Sequence, residues 1–218
     1  HPVHPLHRDA QRLRHPARVL PLRQQPQDAD RLIIELPARP PLLHCRHVLG
    51  AGRRREVRPA PSHGAQVFRR IPVPFLVHTE MGTAGDEVLD AFEVAGIPPA
   101  CVMLCHIDRN PDFYLHRRLA SRGAFLQYDS PGRIKYQPEH IVVDLMRRMF
   151  DADLGDHLLL GGDMARRSYW RAYGGGPGFD YLLTRFTPRL RDQGFSEAEL
   201  QRVWHDNPVR WLTSGRPA

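Results

Sequence analysis

This sequence of 218 residues lacks the features that mark membrane proteins, disulfide-bonded proteins and proteins with a phosphate-binding loop. No stretch approaches the roughly 18–20 consecutive apolar residues of a membrane-spanning helix, so a membrane protein is not expected. The first residues contain no apolar stretch, so a signal peptide is not expected either. The three cysteines form no disulfide framework, and we expect a cytoplasmic protein. The glycine-rich stretch 174–178 lacks the Gly-Lys-Ser/Thr ending of a phosphate-binding loop.

Aromatic residues are almost absent from the first third of the chain. Residues 1–71 contain one of the 18 aromatics, Phe68, and 10 of the 21 prolines. Their 14 arginines and 5 acidic residues give a net charge of +9, whereas residues 72–218 carry −2. Such a composition has little capacity to form a core. We therefore predict a low-order, Arg/Pro/His-rich segment over residues 1–71, with few contacts to a folded part over residues 72–218.

Three interpretations of residues 1–71 follow from this composition. The first is a disordered extension. The second is a shifted reading frame, because a GC-rich coding sequence in the wrong frame gives an excess of Arg, Pro and His with almost no Lys. The third is a basic arm that contacts nucleic acid. Its arginines are scattered, however, and aromatics for base stacking are lacking, so a nucleic-acid partner is not expected.

Residues 72–218 contain three strand-like segments that each end in a residue able to bind a metal. They are 73–77 before His78, 101–105 before His106 and 157–162 before Asp163. The intervals of 28 and 57 residues match one and two units of a (β/α)₈ barrel, which uses roughly 30 residues for each strand and helix. The three residues would then lie on the barrel face that carries active sites. Imidazole and carboxylate ligands suit zinc or a similar divalent ion.

The sequence between these segments fits further strands and helices. Residues 124–129 form another strand-like segment that ends in Asp129, and residues 87–92, 114–120 and 141–150 have the apolar spacing of helices. Four strand–helix units therefore fit between residue 72 and about residue 193, which predicts an α/β fold made of half a TIM barrel.

Several short motifs in this region resemble those of one family. They are His78-Thr79-Glu80, Leu104-Cys105-His106-Ile107-Asp108, Leu160-Gly161-Gly162-Asp163, Ala165-Arg166-Arg167-Ser168, Gly174-Gly175-Gly176, Phe179-Asp180-Tyr181-Leu182-Leu183 and Asn207-Pro208. In this order and spacing they resemble the phosphotriesterase family of the amidohydrolase superfamily, and within it the phosphotriesterase homology proteins. The resemblance runs from about residue 72 to residue 212 and implies strands five to eight of a TIM barrel.

The resemblance implies a metal-dependent hydrolase that acts on ester, lactone or phosphoester bonds of small molecules. Two divalent metals, usually zinc, generate the attacking hydroxide in this family. By the resemblance, His78 and His106 would ligate one metal and Asp163 the other. Asp163 would also accept a proton from the attacking water. A homodimer is compatible with the resemblance.

Polar residues beside these positions are candidates for further roles. Arg109, Arg166 and Arg167 would bind an anionic substrate above the metals, and the alternative is that they are solvated loop arginines. Asp108 would orient either a ligand or its own loop.

The sequence also departs from the family pattern. It contains no His-x-His pair, and its single lysine, Lys135, lies too late in the chain to bridge two metals on strand four. Strand seven ends in Asp129-Ser130, where the phosphotriesterases have a histidine. We therefore expect impaired activity, with an inactive truncated remnant as the alternative. An isolated half barrel would also leave the edge of the strand before His78 unpaired.

Overall fold

The computed structural model describes residues 43–45 and 60–215, in which parallel strands alternate with helices. The strands are β1 Leu43–Cys45, β2 Phe75–His78, β3 Val102–Cys105, β4 Phe125–Tyr128 and β5 Leu158–Leu160. The helices are α1 Ala60–Arg70, α2 Gly85–Val94, α3 Phe113–Ser121, α4 Glu139–Asp151, α5 Thr187–Asp192, α6 Glu197–Gln201 and α7 Asn207–Thr213. Two π-helical segments, Leu182–Phe186 and Arg202–Asp206, lead into α5 and α7.

The strands form one sheet in which every neighbouring pair is parallel and the spatial order β1-β2-β3-β4-β5 follows the sequence. Helices α2, α3 and α4 connect β2 to β3, β3 to β4 and β4 to β5. The predicted series of four parallel strands separated by helices is therefore confirmed. Its assignment to the second half of a closed barrel stays a prediction.

Alternate residues of the strands enter two different apolar clusters, as the period of two in a strand requires. The larger cluster joins Phe75, Val77, Leu104, Leu126 and Tyr128 to buried side chains of the helices. The smaller cluster contains Leu76, Met103, Cys105, Phe125 and Leu159, and Trp211 of α7 packs with them. Both faces of the sheet are thus apolar, which is typical of parallel sheets.

The prediction of little regular structure and few contacts in residues 1–71 is wrong for the two stretches that the structure describes. Helix α1 buries Ala65 in the larger core, and the ring of Phe68 lies 5.9 Å from that of Phe75. The one aromatic of the segment thus contributes an apolar contact that the average composition concealed.

Strand β1 also corrects the expectation of an unpaired edge, because Leu43 pairs with Phe75 in parallel register. The remainder of 1–71 lies outside the described residues, so its three interpretations stay open. None of the described helices is long and apolar enough to cross a membrane.

Candidate active site

Polar side chains meet where the strands of the sheet end. His78 is the last residue of β2, His106 follows β3, Asp129 follows β4, and Asp163 lies three residues beyond β5. Because parallel strands present their carboxyl ends at one edge, these residues are brought together. The rings of His78 and His106 are 4.6 Å apart between centroids, at an angle of 78°. These four residues and Arg109 together form what we term the strand-end cluster.

Asp129 fixes both the backbone and the ring of His106. The carboxylate accepts a hydrogen bond from the His106 amide at 3.1 Å and contacts Nδ1 at 2.7 Å. Because a carboxylate only accepts, Nδ1 carries the proton and Nε2 is left for another partner. The left-handed backbone of His106, with φ 63°, allows both contacts. Gln127 donates a further bond to Asp129, which is fully buried.

Two arginines hold Asp163. Arg109 Nη2 donates to Asp163 Oδ2 at 2.8 Å, and Arg133 Nη1 donates to the same oxygen at 3.0 Å. Arg109 also lies 3.6 Å from an Asp129 oxygen, so one guanidinium links the two carboxylates. Arg133 additionally donates to the carbonyls of Gly162 and Asp163. Both arginine side chains are almost completely buried, which strengthens these ion pairs relative to surface ones.

Tyrosine rings cover the same cations. The Arg109 guanidinium lies 4.1 Å from the centroid of Tyr136, and that of Arg133 lies 4.0 Å from the centroid of Tyr169. Lys135 Nζ is 4.5 Å from the Tyr136 centroid and 3.3 Å from the Tyr169 hydroxyl. Cation–π contacts therefore help to hold the two arginines that bind Asp163, and Lys135 lies against the same two tyrosines.

The predicted substrate-binding arginines are not placed together. Arg109 belongs to the strand-end cluster, whereas Arg166 and Arg167 are exposed, and Arg167 lies over the ring of Tyr173. Within residues 60–215 no ion pair joins either of them to Asp163, so their role in substrate binding stays a prediction. Arg133 was not predicted from the sequence, although this arginine follows β4 at the same edge of the sheet as Asp129.

Asp108 supports its own loop and the next one. It is fully buried, and its carboxylate accepts a hydrogen bond from the Ser130 amide at 2.8 Å. Its backbone carbonyl accepts one from the Gln137 side chain at 2.6 Å. Burial, followed by the negative charge of Asp129, raises the pKa of Asp108 to about 7. Of its two predicted roles, these contacts favour orientation of the loop.

The strand-end cluster fits part of a metal site. A histidine that ligates a metal commonly donates its other ring nitrogen to a carboxylate, as His106 does to Asp129. The neighbouring ring of His78 adds a second imidazole. Within residues 60–215, however, no three His, Cys, Asp or Glu side chains are close enough to hold an ion together. Within residues 60–215, His78 and His106 thus stay candidate ligands, and the described residues do not form a complete metal site.

Known proteins with similar sequences or structures include lactonases and other hydrolases. The phosphotriesterase homology protein of Escherichia coli is 33% identical over 139 residues, which cover 64% of this chain and 47% of the relative. A phospho-furanose lactonase of Mycoplasmopsis synoviae is 32% identical over 145 residues, with 64% and 41% covered. The structure of a lactonase from Listeria monocytogenes superposes with a TM-score of 0.67 at 32% identity, covering 70% of this chain and 48% of that one. The superposition and the parallel sheet show a TIM-barrel-like α/β architecture.

The chain belongs to the phosphotriesterase family, whose model matches residues 56–212. The match begins before residue 72, where the resemblance in the sequence starts, and so includes helix α1. The chain spans about half the length of the curated relatives that it matches.

Proposed function

We propose that this protein is a divalent-metal-dependent hydrolase, with zinc as the expected metal, that cleaves an ester, lactone or phosphoester bond of a small anionic molecule. The observation that carries this proposal is the contact of the His78 and His106 rings, together with the Asp129 carboxylate on Nδ1 of His106. A buried carboxylate that orients an imidazole beside a second imidazole suits metal ligation better than it suits packing.

His78 and His106 would hold one metal and Asp163 would contact the other, together with donors beyond those that the structure describes. The bound metal would supply an activated water and polarise the bond to be cleaved. Asp129 would keep the proton on His106 Nδ1, so that Nε2 has its lone pair available.

Asp163 is suited to accept the proton of the attacking water. Both arginine bonds go to Oδ2, which leaves Oδ1 outside these contacts. Oδ1 would take a proton from water as the water oxygen bonds to the carbonyl carbon of a lactone. The ring carbon–oxygen bond then breaks, and the departing oxygen takes up the proton, so that one water is consumed for each ring opened.

The charge around Asp163 favours an anionic substrate. Arg109 and Arg133 place two positive groups beside this carboxylate, and the exposed Lys135 contacts the hydroxyl of Tyr169, whose ring covers Arg133. A phosphate or carboxylate at the mouth of the site would complement the excess positive charge. The relatives that are lactonases of phospho-furanoses support a phosphorylated lactone as the first substrate to assay.

The test is hydrolysis of furanose lactones, with and without a phosphate, by the zinc-loaded full chain. We expect slow metal-dependent turnover, because the chain has no His-x-His pair and spans about half of its relatives. His106→Ala should abolish it. His157→Ala is the matched control, because His157 precedes β5 and lies at the other end of the sheet.

A hybrid supplies the second arm of the test. Placing the N-terminal half of the Escherichia coli phosphotriesterase homology protein before residue 56 should raise the turnover and preserve its dependence on His106. An absence of metal-dependent turnover in both proteins would instead identify the chain as an inactive remnant. The homodimer and the cytoplasmic location stay predictions, which sedimentation and cell fractionation would check.

A further inference from the structure

A buried pair of polar side chains, His116 of α3 and Tyr128 of β4, lies behind the strand-end cluster. Neither side chain is exposed to solvent. His116 Nδ1 and the Tyr128 hydroxyl are 2.5 Å apart, and the ring centroids are separated by 5.3 Å. None of the roles assigned above uses either residue.

The hydrogen bonds of the pair define its protonation. His116 Nε2 lies 3.0 Å from the carbonyl oxygen of Ile107 and 2.8 Å from that of Asn110, so it carries a proton and donates to both. Burial lowers the pKa of His116 to about 4, which keeps the ring neutral near pH 7. Nδ1 therefore accepts a hydrogen bond from the Tyr128 hydroxyl, and every polar atom of the pair is satisfied.

The two ends of this chain of bonds lie directly beside the strand-end cluster. The carbonyls of Ile107 and Asn110 belong to the loop that follows His106 and carries Arg109. Tyr128 immediately precedes Asp129, the partner of His106. The pair thus joins the loop that carries Arg109 and directly follows His106 to the strand that directly precedes Asp129.

We propose that His116 and Tyr128 are positioning residues that hold the loop 107–110, and through it His106 and Arg109, in the arrangement that the active site requires. The catalytic part of this inference rests on the proposed function, whereas the positioning of His106 can be measured without it. An apolar side chain at residue 116 would leave the Asn110 carbonyl and the Tyr128 hydroxyl unsatisfied, and the Ile107 carbonyl would keep only its bond from the Asn110 amide. The loop would then leave its present position to reach water.

The experiment compares His116→Leu, His116→Gln and Tyr128→Phe in the full chain. Glutamine offers both a donor and an acceptor and serves as the conservative rescue. His157→Leu is the matched control, because His157 also contacts a backbone carbonyl, that of Ala124 at 3.1 Å, but does so where β4 begins. Loss of this contact should lower the free energy of unfolding without moving the strand-end cluster.

Two readouts report on position rather than on stability. The first is the side-chain nitrogen-15 spectrum of His106, whose proton on Nδ1 depends on Asp129. The second is amide exchange at Arg109 and Asn110, whose N–H groups donate to the carbonyls of His106 and Ile107. We expect His116→Leu to shift the His106 signals and to accelerate this exchange at least tenfold. Tyr128→Phe should give a smaller change, and His116→Gln should stay within threefold of the wild type.

Unchanged His106 signals and exchange in His116→Leu and Tyr128→Phe would overturn the inference, as would equal changes in His157→Leu. If His116→Leu does not fold, the Tyr128→Phe result decides. The proposed function can fail separately from this inference. If the zinc-loaded wild type has no lactonase activity but the His106 signals shift as expected in His116→Leu, the positioning role stays intact. Conversely, activity with an unchanged kcat in His116→Leu supports the hydrolase and removes the positioning role.

Discussion

Replacing Asp129 by asparagine tests how the strand-end cluster is held together. The carboxylate accepts bonds from the His106 amide, His106 Nδ1 and Gln127, and lies 3.6 Å from Arg109. Asparagine has nearly the same shape but no charge. One of its two polar atoms is an NH₂ group, which must face donors that Asp129 now accepts from.

The structure sets the size of the expected effect. Asp129 is fully buried, so removing its charge leaves Arg109 without one of its two partners and weakens the charged bonds to His106. A hydrogen bond to a charged group is worth about 1.5–3 kcal/mol, and breaking a buried pair costs about 3–5 kcal/mol. Because Asp129 and Arg109 are both buried, the larger cost applies, and we expect the free energy of unfolding to fall by about 3–5 kcal/mol. A domain in the upper part of the typical range of about 5–15 kcal/mol would remain mostly folded.

Urea unfolding, followed by tryptophan fluorescence at pH 7, measures this loss. Asp112→Asn is the matched control, because Asp112 caps α3 through the Tyr114 amide at 2.9 Å and asparagine caps helices equally well. The control should change the free energy of unfolding by less than about 0.5 kcal/mol. A loss below about 1 kcal/mol for Asp129→Asn would refute the view that a charged Asp129 organises the cluster.

Two further predictions concern regions outside the site. Bonds from Arg147 lower the pKa of Glu199 to about 2, so its contribution is full above pH 4.5 and is lost as the pH falls towards 2. Glu199→Gln should therefore lower the free energy of unfolding by about 1–2 kcal/mol at pH 7, a value that allows for partial exposure, and by much less at pH 2.5. Equal losses at the two pH values would contradict this. Gly155→Ala should lower the free energy of unfolding, measured with urea, by about 2–3 kcal/mol, because the added methyl group would lie 2.3 Å from the Phe150 ring. An unchanged free energy would show that this ring is free to move.

The strand ends could be predicted from the sequence because they follow a simple rule. Apolar runs at barrel spacing placed His78, His106 and Asp129 at the carboxyl ends of β2, β3 and β4, and the structure has them there. The rule needs only the direction of the strands. It does not reveal which polar group contacts which, since that depends on loop conformations such as the left-handed backbone at His106.

Other features carried no comparable signal. Arg133 lies in a loop without periodicity, so it resembled the many solvated arginines of the sequence. His116 lies within a helix that was predicted, but a single polar residue on an apolar face does not reveal its partners. Helix α1 was missed because its one aromatic, Phe68, was averaged over 71 residues of arginine and proline.

Zinc affinity of the full chain tests most directly the central claim, that the strand-end cluster contributes to a metal site. Competition with a chromophoric chelator would compare the wild type, His106→Ala and the control His157→Ala. We expect zinc binding by the wild type and the control, weakened at least tenfold in His106→Ala. Equal affinity in all three proteins, or no binding by the wild type, would contradict the claim.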